Sequence, residues 1–226
     1  MGYDKTMRDK VAEAYARTSG PVAYLDESYQ APDPIVSPDK TFYIFTAVVI
    51  QRDDMEELRK GLETIAEGTW WHTTKAMLQG EGREKTKHML EYLADGFEAC
   101  VIAHQVPVDA TDRDAEQARR SCYRGLAVEL TGGAPGKWDP VELLVLEERN
   151  QLNFRNKDRK NHSELRSEKK IPRSSQLLQI SPNFERLLWL PDVVSMAYRR
   201  TITHTDATSK LFKIVEGQVH FVQAIE

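Results

Sequence analysis

The sequence predicts an α/β protein with a mixed β-sheet flanked by helices. Short apolar runs of strand length alternate with amphipathic segments at helical spacing, the pattern of layered α/β chains. The run FYIFTAVVI at 42–50 is apolar and β-branched or aromatic almost throughout, so it belongs to a strand covered on both faces. It follows the strand at 21–27 as the second arm of a hairpin, which makes the sheet mixed rather than wholly parallel.

Residues 5–17 have the spacing of a short helix, ended by Ser19-Gly20-Pro21. Residues 21–26 form the first strand. The stretch SYQAPDPIVSPDK at 28–40 holds three prolines and reads as a loop. After the strand at 42–50, Asp53-Asp54 is placed to cap a helix carrying Met55, Leu58, Leu62 and Ile65, closed by Gly68. A mixed segment, TWWHTTKAMLQGEG, precedes a second helix at 83–95. Residues 97–108 read as a strand. Asp112 is placed to cap a third helix at 113–130, ended by Thr131-Gly132-Gly133. Residues 141–146 form a strand that runs directly into Glu147-Glu148-Arg149. Residues 150–170 are strongly polar, 174–181 a short strand, and 185–200 an amphipathic helix containing Asp192.

The 226 residues are read as a single domain over 1–226. Residues 1–20 form an N-terminal helical extension, and 203–226 a C-terminal extension whose apolar rhythm packs on the core. At 40% apolar and 29% charged the composition is that of a soluble globular protein. A net charge of −4 gives no global basic signature, so contact with nucleic acid requires a local basic patch. Cys100 and Cys122 lie inside apolar or helical patterns and read as buried free thiols of a reducing compartment. The first twenty residues carry charges throughout, and the longest apolar run, 42–50, is too short to span a bilayer. The expectation is a cytoplasmic protein with no membrane partner; nothing in the chain fixes an oligomeric state. Residues 132–137 lack the spacing and the Ser or Thr of a phosphate-binding P-loop, and no nucleophile elbow or zinc-type Cys/His cluster occurs.

Acids at the ends of elements carry the chemistry. Asp26-Glu27 follows the first strand, Glu147-Glu148 follows a later buried strand, and Asp192 sits within LLWLPDVVSMAYRR. Acids from a first strand, a central strand and a late helix can meet at one edge of a sheet. Carboxylates gathered in this way repel one another and call for a cation. An oxygen donor set suits Mg2+ or Mn2+, and such ions activate water for phosphodiester cleavage. Strand neighbours alternate faces, so one of Asp26 and Glu27 suffices as a ligand, with Asp26 the choice. Periodicity leaves both Glu147 and Glu148 open, and Glu147 is taken first. Asp192 has two readings, an N-cap of a helix beginning near Val193 or a site residue.

Five segments resemble the bacterial family labelled domain of unknown function 3800, which is similar to ribonuclease H-like folds. They are AYLDES at 23–28, FYIFTAVVI at 42–50, WHTTKAM at 71–77, LLVLEER at 143–149 and LLWLPDVVSMAYRR at 187–200. The resemblance spans about residues 21–200 and rests on the order and spacing of short pieces. It implies an α/β, ribonuclease H-like mixed β-sheet flanked by helices. It also implies a nuclease-like site of Asp26, Glu27, His72, Glu147 and Asp192, with Asp26, Glu147 and Asp192 as ligands of Mg2+ or Mn2+. The chain departs from the family pattern at Trp189, where a glutamine is usual, at Pro191, and in carrying Glu147-Glu148 where an aspartate is usual.

Each signal also has a plain structural reading. His72 is either a packed, hydrogen-bonded histidine or a metal ligand or proton shuttle. The two tryptophans before it read as core rather than as base-stacking platforms. The basic stretch 149–170 is either a solvated face or a patch for phosphates beside the carboxylates. In the second case Lys75, Arg149, Arg155, Lys157 and Arg159 contact the nucleic acid, DNA or RNA. The tryptophan at 189 motivates an alternative function, a non-catalytic nucleic-acid-binding or protein-interaction module on the same scaffold.

Overall fold

The unbroken apolar run at 42–50 becomes β2 (Phe42–Ile50), buried at every position, against which both layers of helices pack. The structure, a computed structural model, describes residues 2–35 and 37–226; Met1 and Val36, the latter inside the expected loop at 28–40, lie outside the described residues. The other strands are β1 (Val22–Gln30), β3 (Ala99–Gln105), β4 (Leu143–Glu147), β5 (Gln176–Ile180) and β6 (Val219–Val222). They form a six-stranded sheet in the order β5-β4-β1-β2-β3-β6. β1, β2 and β3 are antiparallel neighbours, whereas β4 lies parallel to β1, β5 to β4 and β6 to β3. This is the mixed β-sheet flanked by helices that the sequence predicts.

The helices are α1 (Gly2–Ala16), α2 (Met55–Ala66), the single turn α3 (Thr73–Ala76), α4 (Gly80–Ala94), α5 (Glu116–Gly132), α6 (Leu152–Ser167) and α7 (Trp189–Thr203). The period-two alternation of the strands splits the core in two. Val22, Tyr24, Ile44, Val48, Leu143 and Val145 face α2, α4 and α7, where Leu62, Leu90, Leu93, Leu190 and Val194 meet them. Ala23, Leu25, Phe45, Ala47, Leu144 and Leu146 face α5 and α6, packing on Cys122, Leu126, Leu130 and Leu165.

Several boundaries differ from the expectation. Ser28, Tyr29 and Gln30 continue β1, paired with Ile44, Tyr43 and Phe42, instead of opening the loop. Pairing with β2 holds them extended, and the Tyr29 ring stacks on Tyr43 with centroids 5.4 Å apart. Asp26 therefore lies in the middle of β1 rather than at its end. The third helix begins at Glu116, and Asp112 caps it from outside, accepting from the amides of Gln117 and Ala118 at 3.1 and 2.8 Å. Asp54 occupies the N-cap of α2 but makes no side-chain capping bond. A 3-10 turn, Arg186–Leu188, precedes α7. Pro191 falls in the first turn of α7, where its missing N–H removes no intrahelical bond. Cys100 and Cys122 are buried and free. The C-terminal segment places Phe212 in the core and adds β6 beside β3. Among the described residues no helix is long and apolar enough to cross a membrane.

Candidate functional site

The β1–β4 register puts Leu25 beside Leu146, so Asp26 adjoins Glu147, the residue at which β4 ends. Both carboxyls fall on the face that packs against α7: Asp26 continues Val22 and Tyr24, and Glu147 continues Leu143 and Val145. α7 crosses this face and brings Asp192 to it. The three acids line one cavity of about 640 Å3 together with Glu27, His72 and Arg199. It lies beyond the carboxyl end of β4, where α/β sheets commonly receive ligands.

Burial raises all three carboxyls, and neighbouring acids add to the shift at Asp26 and Glu147. Burial, then the charges of Glu147, Asp192 and Glu27, hold Asp26 well above the ordinary carboxylate range. Burial first, then Asp192 and Glu27, push Glu147 up to about 7, with a hydrogen bond from Asp26 opposing the shift. Asp192 is raised by burial and pulled back mainly by two hydrogen bonds from Thr73. The Thr73 hydroxyl donates to Asp192 Oδ2 at 2.6 Å and the Thr73 amide at 3.2 Å. Trp71 Nε1 in turn donates to Thr73 Oγ1 at 2.9 Å, which fixes the hydroxyl's rotamer. Asp192 therefore accepts from another helix's threonine and does not cap its own helix. No spacing along the chain points to Thr73, whose partner is 119 residues away.

His72 is exposed at the N-cap of α3, edge-on to Trp70 with centroids 6.2 Å apart. It lines the cavity, and its charge favours the ionised form of Asp192. Glu27 points the other way from Asp26, into the α5–α6 layer, where it forms an ion pair with Arg119. Arg119 also donates to both oxygens of Asp158 at 2.8 and 2.9 Å and to the Tyr43 hydroxyl at 2.9 Å. One Glu27 oxygen, Oε2, is buried without a hydrogen-bond partner. Arg119 and Asp158 were not singled out from sequence, although an arginine three residues before Cys122, on the apolar stripe of α5, was a visible anomaly. Glu148, just past the end of β4, also lines the cavity, but its carboxylate is paired: it accepts from Arg155 at 2.8 Å, whereas Glu147 has no such cation among the described residues.

Of the basic candidates, Arg149 lines the cavity, forms an ion pair with Glu116, and stacks over Phe154 at 4.0 Å. Lys157 bonds Glu116 at 3.1 Å, Arg155 is held by Glu148, and Arg159 donates to Asn156 at 3.0 Å. Lys75 is exposed, its Nζ 5.3 Å from the Trp70 ring centroid. These four stand outside the cavity lining.

Among the described residues no group of three or more His, Cys, Asp and Glu side chains is drawn together closely enough to hold a metal ion as it stands. The donor chemistry nonetheless fits a hard divalent cation. Carboxyl groups from two strands and a helix share one cavity, and their proton affinities are raised by mutual repulsion and burial. A cation in their midst would relieve both.

No protein-family model and no curated protein matches the chain. Among solved structures, the crystal structure of Bst-RNase HIII in complex with Mn2+ is similar over 91% of this chain and 65% of that one. The identity is 11% and the TM-score 0.46. The chain thus spans less than two thirds of that protein's length, and the reading of the site rests on the geometry above.

Proposed function

We propose that this chain is a metal-dependent nuclease-like protein, a single unit over 1–226, acting on phosphodiester bonds of nucleic acid. The observation that carries the reading is the trio Asp26, Glu147 and Asp192, brought from β1, β4 and α7 to one cavity. The resemblance to the domain of unknown function 3800 family supports the same residues. Mg2+ or Mn2+ bound there would activate water and offset charge on the leaving oxygen. The chain's own part is to hold that site. Asp26 and Glu147 share a proton when the site is empty of positive charge, and give it up as ligands. Thr73 orients Asp192 by its two hydrogen bonds, which favour the ionised form against burial. His72, exposed at the cavity wall, is placed to exchange a proton with solvent. Glu27, locked to Arg119, acts from behind as a fixed negative charge.

Purified protein should cleave nucleic acid with Mg2+ or Mn2+ and not in chelator, and Asp26→Asn should abolish cleavage. Undiminished cleavage by Asp26→Asn would remove the mechanism. A second reading, a non-catalytic binding module, is favoured by Trp189: it is buried in the core and lacks the paired donor and acceptor of the family's usual glutamine. Under that reading calorimetry detects no Mn2+ binding while nucleic acid binds in a salt-dependent way.

A further inference from the structure

Trp70 stands apart from the other tryptophans. Trp71, Trp138 and Trp189 are 8%, 6% and 2% exposed, whereas Trp70 is 55% exposed and lines the carboxylate cavity. An indole left in water forgoes one of the largest apolar burials a side chain can make. The backbone beside it is well anchored: Trp71 is buried and bonded to Thr73, and Thr73 holds Asp192. A cation accompanies the ring, with Lys75 Nζ 5.3 Å from its centroid. Another aromatic–cation pair, Phe154 under Arg149, belongs to the same lining. Tyr29, half exposed and braced on Tyr43, adds a further ring.

Flat rings with cations beside them suit a polyanion whose bases are free to stack. A closed duplex has already spent its base faces on its own stack. Resting on the nuclease reading, and naming its substrate class, we propose that Trp70 stacks on an unpaired base of single-stranded nucleic acid whose backbone passes the carboxylates. The notion that both tryptophans of the WWH motif belong to the core is thus corrected for Trp70.

Tryptophan emission tests this with Trp70→Ala as its control, because Trp71 and Trp189, though buried, also line the cavity. In chelator at low salt, a single-stranded DNA or RNA oligonucleotide should quench the emission; a closed hairpin duplex of the same composition should quench it less and bind more weakly. Trp70→Ala should weaken single-strand affinity by about tenfold, and Trp70→Phe should restore most of it. Trp70 is exposed, so both variants should fold as the wild type does. Single-strand affinity unchanged in Trp70→Ala, or equal quenching by the closed duplex, would overturn the stacking role while leaving the nuclease reading intact. Wild-type protein that binds neither nucleic acid would overturn both.

Discussion

Asp26 and Glu27 are neighbours in sequence and opposites in environment. Glu27 enters the α5–α6 layer and meets a guanidinium, which a second carboxylate and a tyrosine hydroxyl also hold. Asp26 enters the α7 layer and meets two more acids. One side of β1 neutralises its charge internally; the other leaves it to be neutralised from outside. Buried charge that is already paired is structure, and buried charge of one sign at a cavity is an invitation to a ligand. The same divide separates Glu148, paired with Arg155, from Glu147.

The largest effect should come from breaking the neutral side. Arg119→Leu leaves Glu27 and Asp158 buried without their cation, and the loss of stability should be about 3–5 kcal/mol in chemical denaturation. A loss under about 1 kcal/mol would mean that Arg119 does not hold this layer together and that the contrast between the faces is false.

The acid side should respond with the opposite sign. Raised carboxyl pKa values mean that ionisation is costlier in the folded than in the unfolded chain. That penalty is absent below the unfolded pKa, grows as pH rises, and is complete above the folded values, of which Glu147's is about 7. In chelator, wild-type stability should therefore rise as pH falls from 8 to 5. Asp26→Asn removes one of the mutually repelling charges and should stabilise the protein by ~1–2 kcal/mol at pH 8, with a flatter pH profile. A melting series across pH checks both; a profile as steep in Asp26→Asn as in the wild type would show that Asp26 is not part of the repelling set.

What the sequence disclosed follows the same physics. Asp26 and Glu147 are conspicuous because each ends an apolar run, and Asp192 because it interrupts one. Their partners are not. Thr73 reaches Asp192 across 119 residues, and Arg119 meets Asp158 across 39, contacts that the fold makes and no spacing rule encodes. The end of β1 was misread because Ser28-Tyr29-Gln30 carries no apolar signal of its own; pairing with β2 keeps it extended. β6 escaped notice as a strand because it is four residues long and only half-buried at the sheet edge, where tertiary pairing rather than local pattern decides.

The smallest effect sharpens the comparison most finely. Glu148 and Glu147 are adjacent and chemically identical, and the pairing of Glu148 with Arg155 tells them apart. Glu148→Gln removes an ion pair with Arg155 near the surface, worth about 0.2–1 kcal/mol, and leaves Asp26, Glu147 and Asp192 in place. Its thermal stabilisation by Mn2+ should match the wild type's, since ligand-linked stability depends on the groups that bind the ion. The same change at Glu147 should erase that stabilisation. If the two variants exchanged these behaviours, the pairing of Glu148 with Arg155 would not be what keeps it from the ion, and Glu148 rather than Glu147 would be the ligand.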